Sequence, residues 1–174
     1  LMASARAYLR QRASQTGRLD EIIADVNRQL IVDIAGTNRF VTLFMLEINM
    51  LHKQLKWVRA GHVPAILYDR RTDSFEELRG PGIPLGVEDS WVFEENTKSS
   101  LSEDHIIFLA TDGVWEQRNP DGEMFWKDRV NDLIRKNSTQ SAQDIIHIFI
   151  DALNRFKGDL KFEDDVTMVV VKLK

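Results

Sequence analysis

The sequence predicts an α+β domain whose β-structure is mostly antiparallel. Apolar residues recur at helical spacing in two segments at the start of the chain and in two near its end. Between them the pattern alternates every second residue in a series of short segments joined by short polar turns. Connections of only a few residues cannot make a parallel crossover, so neighbouring strands are expected to run antiparallel.

The helices are predicted from apolar periodicity, composition and cap residues. Gly36 follows the second helical segment as a C-terminal cap would, and Ser141 and Gly158 bracket the last one as N-cap and C-cap. The first segment is predicted from its content of Ala, Leu, Met and Arg. The four predicted helices span residues 1–13, 19–34, 127–136 and 142–156.

The strands are predicted from alternation and from β-branched and aromatic residues. The loop RGPGIPLG at 79–86 contains too much glycine and proline for helix or strand. The final segment is a near-continuous β-branched run, which is typical of a buried central strand. The predicted strands are 40–50, 54–60, 65–69 and 74–78, read as one antiparallel meander, followed by 91–98, 105–111 and 166–173.

Composition indicates an ordinary globular protein. The 174 residues are 43% hydrophobic and 29% charged, which suits one domain spanning 1–174. A net charge of −4 without a concentrated basic face argues against a nucleic-acid partner. The chain has no cysteine, which fits a cytoplasmic protein, and no apolar run approaches the length of a membrane-spanning helix.

Two acidic groups stand where predicted strands begin or end. Asp112 directly follows the apolar run of 105–111, and Gly113 lets the backbone turn. Asp164 and Asp165 precede the last strand. If that strand lies antiparallel beside 105–111, the carboxylates converge at one edge of the sheet. Crowded carboxylates repel one another, and a divalent cation or protonation relieves the repulsion.

The type of ligand limits which metal ions the site would bind. Carboxylate oxygens without His or Cys favour hard ions, Mg²⁺ or Mn²⁺ before Zn²⁺. Two such ions can produce a hydroxide nucleophile for displacement at phosphorus. The alternative is structural, because Asp-Gly is a common turn and an Asp-Asp pair can cap a loop.

Five segments, taken in order, resemble the SpoIIE/RsbU-type branch of the metal-dependent (PPM, or type 2C) serine/threonine protein phosphatases. They are FVTLFMLEI, WVRAGHVPAILY, GIPLG, IIFLATDGVWEQRNPDGEMF and EDDVTMVVVK, and together they cover nearly the whole chain. The resemblance implies two packed antiparallel sheets with helices outside and a pair of Mn²⁺ or Mg²⁺ ions at one end.

The resemblance also implies the site and the substrate. Asp112 and Asp164 would be metal ligands, and Asp165 is the weaker candidate because adjacent strand residues point to opposite faces. The expected reaction is hydrolysis of phosphoserine or phosphothreonine on a regulatory protein, an anti-sigma-factor antagonist or similar partner in sporulation or stress signalling. Metal-activated water would attack directly, without a phosphoenzyme.

Three departures from the family pattern limit how far the family's site and activity can be assigned to this chain. The Gly-Asp-x-x-Asp strand and the following Gly-Asp-x-x-Gly-His-Gly segment do not occur in the chain, so the N-terminal part of the domain is expected to be missing. The alternative function is therefore a catalytically inactive pseudophosphatase that binds a partner. In addition, Trp126 follows GEMF where the family usually has Gly, and Trp115 replaces a small residue.

Other residues near the motifs are expected to support the site. His62, in AGHVP, is more consistent with a strand-to-strand turn than with a general acid. Asn119 and Glu123 are expected to fix the loop after Asp112 through hydrogen bonds to the backbone, rather than to act in catalysis. The GIPLG loop lacks the Gly-Lys-Ser/Thr ending of a phosphate-binding loop and is expected to be a packing turn.

The chain is also expected to have partners. The two N-terminal helices are expected to pack in the core, and in this branch such helices also connect an upstream sensor or receiver domain to the phosphatase. A domain without its first strands exposes a sheet edge, and exposed edges recruit other strands. The sequence therefore predicts a dimer or a strand-exchanged assembly.

Overall fold

The computed structural model describes residues 1–173, which form five helices and seven strands. The helices are α1 (Met2–Ala13), α2 (Leu19–Ile34), α3 (Asp112–Trp115), α4 (Trp126–Lys136) and α5 (Ala142–Lys157). The strands are β1 (Leu43–Asn49), β2 (Gln54–Ala60), β3 (Ala65–Asp69), β4 (Ser74–Leu78), β5 (Asn96–Ser99), β6 (His105–Ala110) and β7 (Met168–Lys172). None of the helices in this range is both long and apolar enough to span a bilayer.

The strands form two antiparallel sheets, one in each of two compact units. The first unit comprises Leu1–Pro64 and Arg79–Leu101 and holds a three-stranded sheet in the order β1-β2-β5. The second comprises Ala65–Leu78 and Ser102–Lys174 and holds a four-stranded sheet in the order β4-β3-β6-β7. The predicted α+β class, with antiparallel sheets and flanking helices, is confirmed.

In the first unit, α2 buries its apolar face in a core that it shares with α1 and β2. Ile23 and Leu30 are fully buried there, as expected for residues at helical spacing. Asn27, also on the buried side, donates to the Glu88 carbonyl at 2.9 Å and accepts from the Gly86 N–H at 2.8 Å. This amide ties the irregular 79–95 segment to the helix and satisfies backbone groups that no strand partner reaches.

In the second unit, α5 packs on the sheet through aromatic contacts. Phe149 stacks on Phe108 of β6 with ring centroids 4.6 Å apart, and both side chains are almost fully buried. The helix begins as predicted, since the Ser141 hydroxyl accepts from the Asp144 N–H at 3.1 Å. Gly158 ends it with a positive φ of 57°.

Three expectations about strands were wrong. The segment 91–98 forms a strand only from Asn96 onward, in β5. The predicted meander of four strands divides between two sheets, because the chain turns at 61–64 and leaves β2 and β3 unpaired with each other. The last strand, β7, lies at an edge of the described sheet rather than at its centre, and Val169 is 46% exposed. A β-branched run indicates a strand, but its lateral position depends on which distant strands pair.

Candidate functional site

The pairing of β6 with β7 brings the two acidic motifs together. The strands are antiparallel, with Ala110 opposite Met168, and the Thr111 N–H donates to the Thr167 carbonyl at 3.0 Å. Asp112 therefore leaves the end of β6 at the point where Asp164 and Asp165 lead into β7. This is the arrangement that the sequence predicted for the two segments.

The hydroxyl of Thr111 joins the same two segments, a role that the sequence analysis missed. It accepts a hydrogen bond from the Thr167 N–H at 3.0 Å and donates one to the Asp165 carbonyl at 3.0 Å. A threonine at the end of a strand, before Asp-Gly, was the available signal, because Thr side chains readily bond nearby backbone groups. Thr111 thereby holds the backbone of Asp165 against the end of β6.

Gly113 permits the closest backbone approach in this region. A β-carbon at this position would lie 2.6 Å from the Asp165 carbonyl oxygen and 3.3 Å from that of Asp164. The first distance is too short for any side chain to be accommodated without movement. The sequence analysis assigned Gly113 to a turn. The structure adds that this residue must lack a side chain for the Asp164–Asp165 backbone to reach β6.

Three carboxylates lie where β6 ends and β7 begins, a place called the acidic edge below. They belong to Asp112, Asp164 and Asp165, and all three are exposed to solvent. One oxygen of Asp112 accepts the Gly113 N–H at 3.1 Å, and one oxygen of Asp164 accepts the Asp165 N–H at 2.7 Å. These local bonds orient two of the carboxylates. Within residues 1–173, however, no group of three or more His, Cys, Asp or Glu side chains is arranged to hold a metal ion.

The donor chemistry of this edge suits a hard cation. Carboxylate oxygens are the ligands that Mg²⁺ and Mn²⁺ prefer, and Mg²⁺ is commonly held by one or two carboxylates, with water and substrate phosphate as the other ligands. Asp112 and Asp164 could supply such a pair. The set of ligands is smaller than a site built wholly from protein side chains requires.

The loop between α3 and α4, residues 116–125, is called the arm below, and Asn119 holds its tight turn. The Asn119 side-chain oxygen accepts the N–H groups of Asp121, at 3.1 Å, and Glu123, at 2.8 Å, and its amide nitrogen donates to the Glu123 carboxylate at 3.2 Å. The bonds from Asn119 to the backbone are those expected, whereas the expectation for Glu123 was wrong, because its carboxylate accepts from the side chains of Asn119 and Arg129 rather than from the backbone. Whether the arm takes part in the site stays a prediction.

His62 belongs to the first unit, whereas the three aspartates belong to the second. Its Nδ1 lies 2.9 Å from the Val63 carbonyl, and its own carbonyl accepts from Arg59 at 3.2 Å. Gly61 before it has a φ of +73°, and a β-carbon there would lie 2.7 Å from the Pro84 ring. These contacts are those of a turn, as predicted for AGHVP.

Comparison with known proteins identifies the family. The family described as Stage II sporulation protein E (SpoIIE) matches residues 1–174. The chain belongs to the SpoIIE family. Membership confirms the resemblance on which the prediction of a phosphatase domain rested.

A curated relative is Phosphoserine phosphatase RsbU of Bacillus subtilis (strain 168), which is 27% identical over 154 residues. The match covers 88% of this chain and 45% of the relative. The SpoIIE-family chain described here thus spans less than half the length of that protein.

Solved structures show the fold. The SiaA-PP2C domain of Pseudomonas aeruginosa superposes with a TM-score of 0.86 at 19% identity, covering 99% of this chain and 68% of that one. The SpoIIE phosphatase domain of Bacillus subtilis, in a manganese-presoaked crystal, gives a TM-score of 0.63 at 16% identity, covering 97% and 73%. The fold is therefore that of PP2C phosphatase domains.

Proposed function

We propose that this chain is part of a metal-dependent serine/threonine protein phosphatase domain, in which Asp112 and Asp164 hold a divalent cation. The observation that carries the proposal is the contact between the two acidic motifs, with the Asp164–Asp165 backbone against Gly113 and the Thr111 hydroxyl bonded to the Asp165 carbonyl at 3.0 Å. Family membership supports the same activity.

The residues at this edge would orient a cation and a phosphorylated side chain. When bound, Mn²⁺ or Mg²⁺ supplies Lewis-acid chemistry and lowers the pKa of bound water. Asp112 and Asp164 would hold the ion with carboxylate oxygens, and Asp165 is the reserve candidate. Gly113 and Thr111 keep the two segments in register, and the exposure of all three carboxylates leaves room for a protein substrate.

The substrate is proposed to be a phosphoserine or phosphothreonine on a small regulatory protein, an anti-sigma-factor antagonist or similar partner in the cytoplasm. The proposal rests on the family and on the name of RsbU as a phosphoserine phosphatase. Two ions in the complete site, a third carboxylate from an upstream Gly-Asp-x-x-Asp strand, and an upstream sensor or receiver domain belong to the same proposal.

The test compares two variants of the natural protein in Mn²⁺-dependent hydrolysis of a phosphoserine peptide. Asp112→Asn removes a ligand charge and is expected to lower kcat/KM at least about 100-fold, a loss comparable to removing a group that stabilises the transition state. Asp151→Asn makes the same change at an exposed position of α5 and is expected to leave kcat/KM unchanged. Equal activity of the Asp112→Asn variant and the unmodified protein would refute the assignment.

A second candidate function is a pseudophosphatase that binds a partner without turnover. It is favoured by one observation: within residues 1–173, no three or more His, Cys, Asp or Glu side chains are arranged so that together they could hold a metal ion. Titration calorimetry with Mn²⁺ on the natural protein separates the two. Tight binding that Asp112→Asn abolishes supports the enzyme, whereas no measurable binding together with no hydrolysis supports the pseudophosphatase.

A further inference from the structure

A cavity of about 570 Å³ lies on the arm that follows the acidic edge. Its lining includes Arg118, Trp126 and Asp128. Arg118 connects the cavity to the edge, because its Nε lies 3.9 Å from the Glu163 carboxylate, and Glu163 directly precedes Asp164. A peptide bound with its phosphoserine at the edge would have neighbouring residues within reach of this cavity.

Trp126 is the most unusual residue of the cavity. Its side chain is 58% exposed although tryptophan gains most from burial, and its φ is +48°, a region that glycine occupies more readily than other residues. Neither property helps the chain to fold. A strained backbone that presents a large aromatic ring to solvent is a reason to look for a ligand.

The charges around the ring favour a cationic ligand. Two arginines, Arg118 and Arg129, also line the cavity, and each already has a partner. Arg118 donates to the Gly122 carbonyl at 2.8 Å, and Arg129 pairs with Glu123 at 3.0 Å. Arg129 also lies over the Phe156 ring, 4.7 Å from its centroid. Asp128, by contrast, is exposed and forms no hydrogen bond or ion pair within residues 1–173. The cavity therefore offers an aromatic face and one carboxylate, in the first turn of α4, that has no side-chain partner.

We propose that Trp126 and Asp128 bind a lysine or arginine side chain of the phosphoprotein substrate, close in sequence to its phosphoserine. A cation over a tryptophan face is attracted by the ring quadrupole, and the long aliphatic stem of Lys or Arg packs against the same ring. Asp128 adds a charge partner. This inference rests on the proposed phosphatase function, and it makes Trp126 a determinant of substrate choice rather than a catalytic residue.

The experiment measures binding, so it does not depend on turnover. Two fluorescein-labelled peptides carrying a non-hydrolysable phosphonate analogue of phosphoserine, identical except for lysine or its uncharged isostere norleucine near the phosphonate, are titrated with the natural protein and Mn²⁺ by fluorescence anisotropy. The lysine peptide is expected to bind about tenfold more tightly, within the range of a desolvated cation–π contact. Trp126→Ala should remove most of that preference, Asp128→Asn part of it, and Trp126→Phe the least.

Controls separate this inference from folding and from the proposed function. Leu51→Ala removes another exposed apolar side chain and should not change either affinity, and the unfolding midpoint of each variant reports folding. Equal binding of the two peptides, or an unchanged preference in both the Ala and Phe variants of Trp126, would overturn the inference. Hydrolysis of p-nitrophenyl phosphate by the unmodified protein tests the phosphatase function separately. If this hydrolysis fails while the lysine preference persists, only the proposed function is lost.

Discussion

At the scale of single residues, the approach of the two acidic motifs depends on a missing side chain. Gly113→Ala would place a β-carbon 2.6 Å from the Asp165 carbonyl oxygen, so the Asp164–Asp165 segment must move away from β6. Overpacking of this kind lowers the free energy of unfolding by about 1–3 kcal/mol. We expect that loss in chemical denaturation, together with weaker Mn²⁺ binding in calorimetry.

Gly122→Ala is the matched control for Gly113→Ala. Gly122 has a φ of +83° and nothing within 4 Å of an added β-carbon, so alanine there adds only backbone strain of about 1–2 kcal/mol. Metal affinity should stay at the value of the unmodified protein. If both glycine variants lost Mn²⁺ binding equally, contact with Asp165 would not be the cause.

Trp126 allows the strain of a left-handed residue to be measured. Trp126→Gly and Trp126→Ala both remove the exposed ring, but only alanine keeps a β-carbon at a φ of +48°. The glycine variant is expected to be more stable than the alanine variant by about 1 kcal/mol, the penalty for a β-carbon in this region. Thermal or denaturant unfolding of the two proteins gives the difference directly. A more stable alanine variant would contradict a left-handed backbone at residue 126.

At the scale of secondary-structure elements, the β3–β4 turn is joined to α4 by a polar network. Asp73, in the turn, accepts from Arg135 of α4 at 2.7 Å and from the Tyr68 hydroxyl of β3 at 3.0 Å. The Arg135 guanidinium and the Tyr68 hydroxyl hold the pKa of Asp73 below its usual range. Arg135 also lies over the Phe75 ring of β4, so this one side chain of α4 contacts both the turn and β4.

The lowered pKa of Asp73 predicts a pH-dependent contribution to stability. A carboxyl whose pKa is lower in the folded protein stabilises it at pH values above the unfolded pKa, about 3.9, and loses that contribution as pH falls through the folded pKa. Asp73→Asn should therefore lower the melting temperature at pH 7 but match the unmodified protein at strongly acidic pH. Melting curves across pH check this, and a difference that persisted in acid would assign the effect to packing.

At the scale of the whole molecule, association is expected at the β7 edge. Within residues 1–173, β7 pairs only with β6, and its sequence MVVVK carries a single charge, whereas the opposite edge strand, β4, contains two glutamates. The Lys172 side chain, which could guard the edge, bends away to donate to the Ser138 carbonyl at 2.7 Å. Unguarded edges of high β-propensity recruit further strands.

This edge predicts a concentration-dependent dimer of the chain in light scattering. Val169→Lys adds a charge to a half-exposed β7 residue and is expected to shift the equilibrium toward monomer. Val32→Lys makes the same change at a 77% exposed position of α2 and should not. A monomer at all concentrations would contradict the predicted association.

Local pattern and composition determined the four longer helices, most of the strands and the candidate ligands, but they missed the short helix α3 and predicted a strand at 91–95 that does not form. Ser141 and Gly158 bracket α5 as predicted, since capping depends on residues only a few positions apart. The expectation that Asp112 and Asp164 belong to one site came from the strand order implied by their motifs. That these two aspartates bind a metal ion remains a prediction.

Features that depend on contacts between distant parts of the chain became known only from the tertiary structure. The position of β7 at an edge, the division of the strands between two sheets and the two hydrogen bonds of the Thr111 hydroxyl each depend on residues far apart in the chain. Periodicity reports which side chains prefer burial. It carries no information about which distant backbone groups will lie within hydrogen-bonding distance. Such hydrogen bonds, between residues 111 and 165–167, hold the acidic edge together.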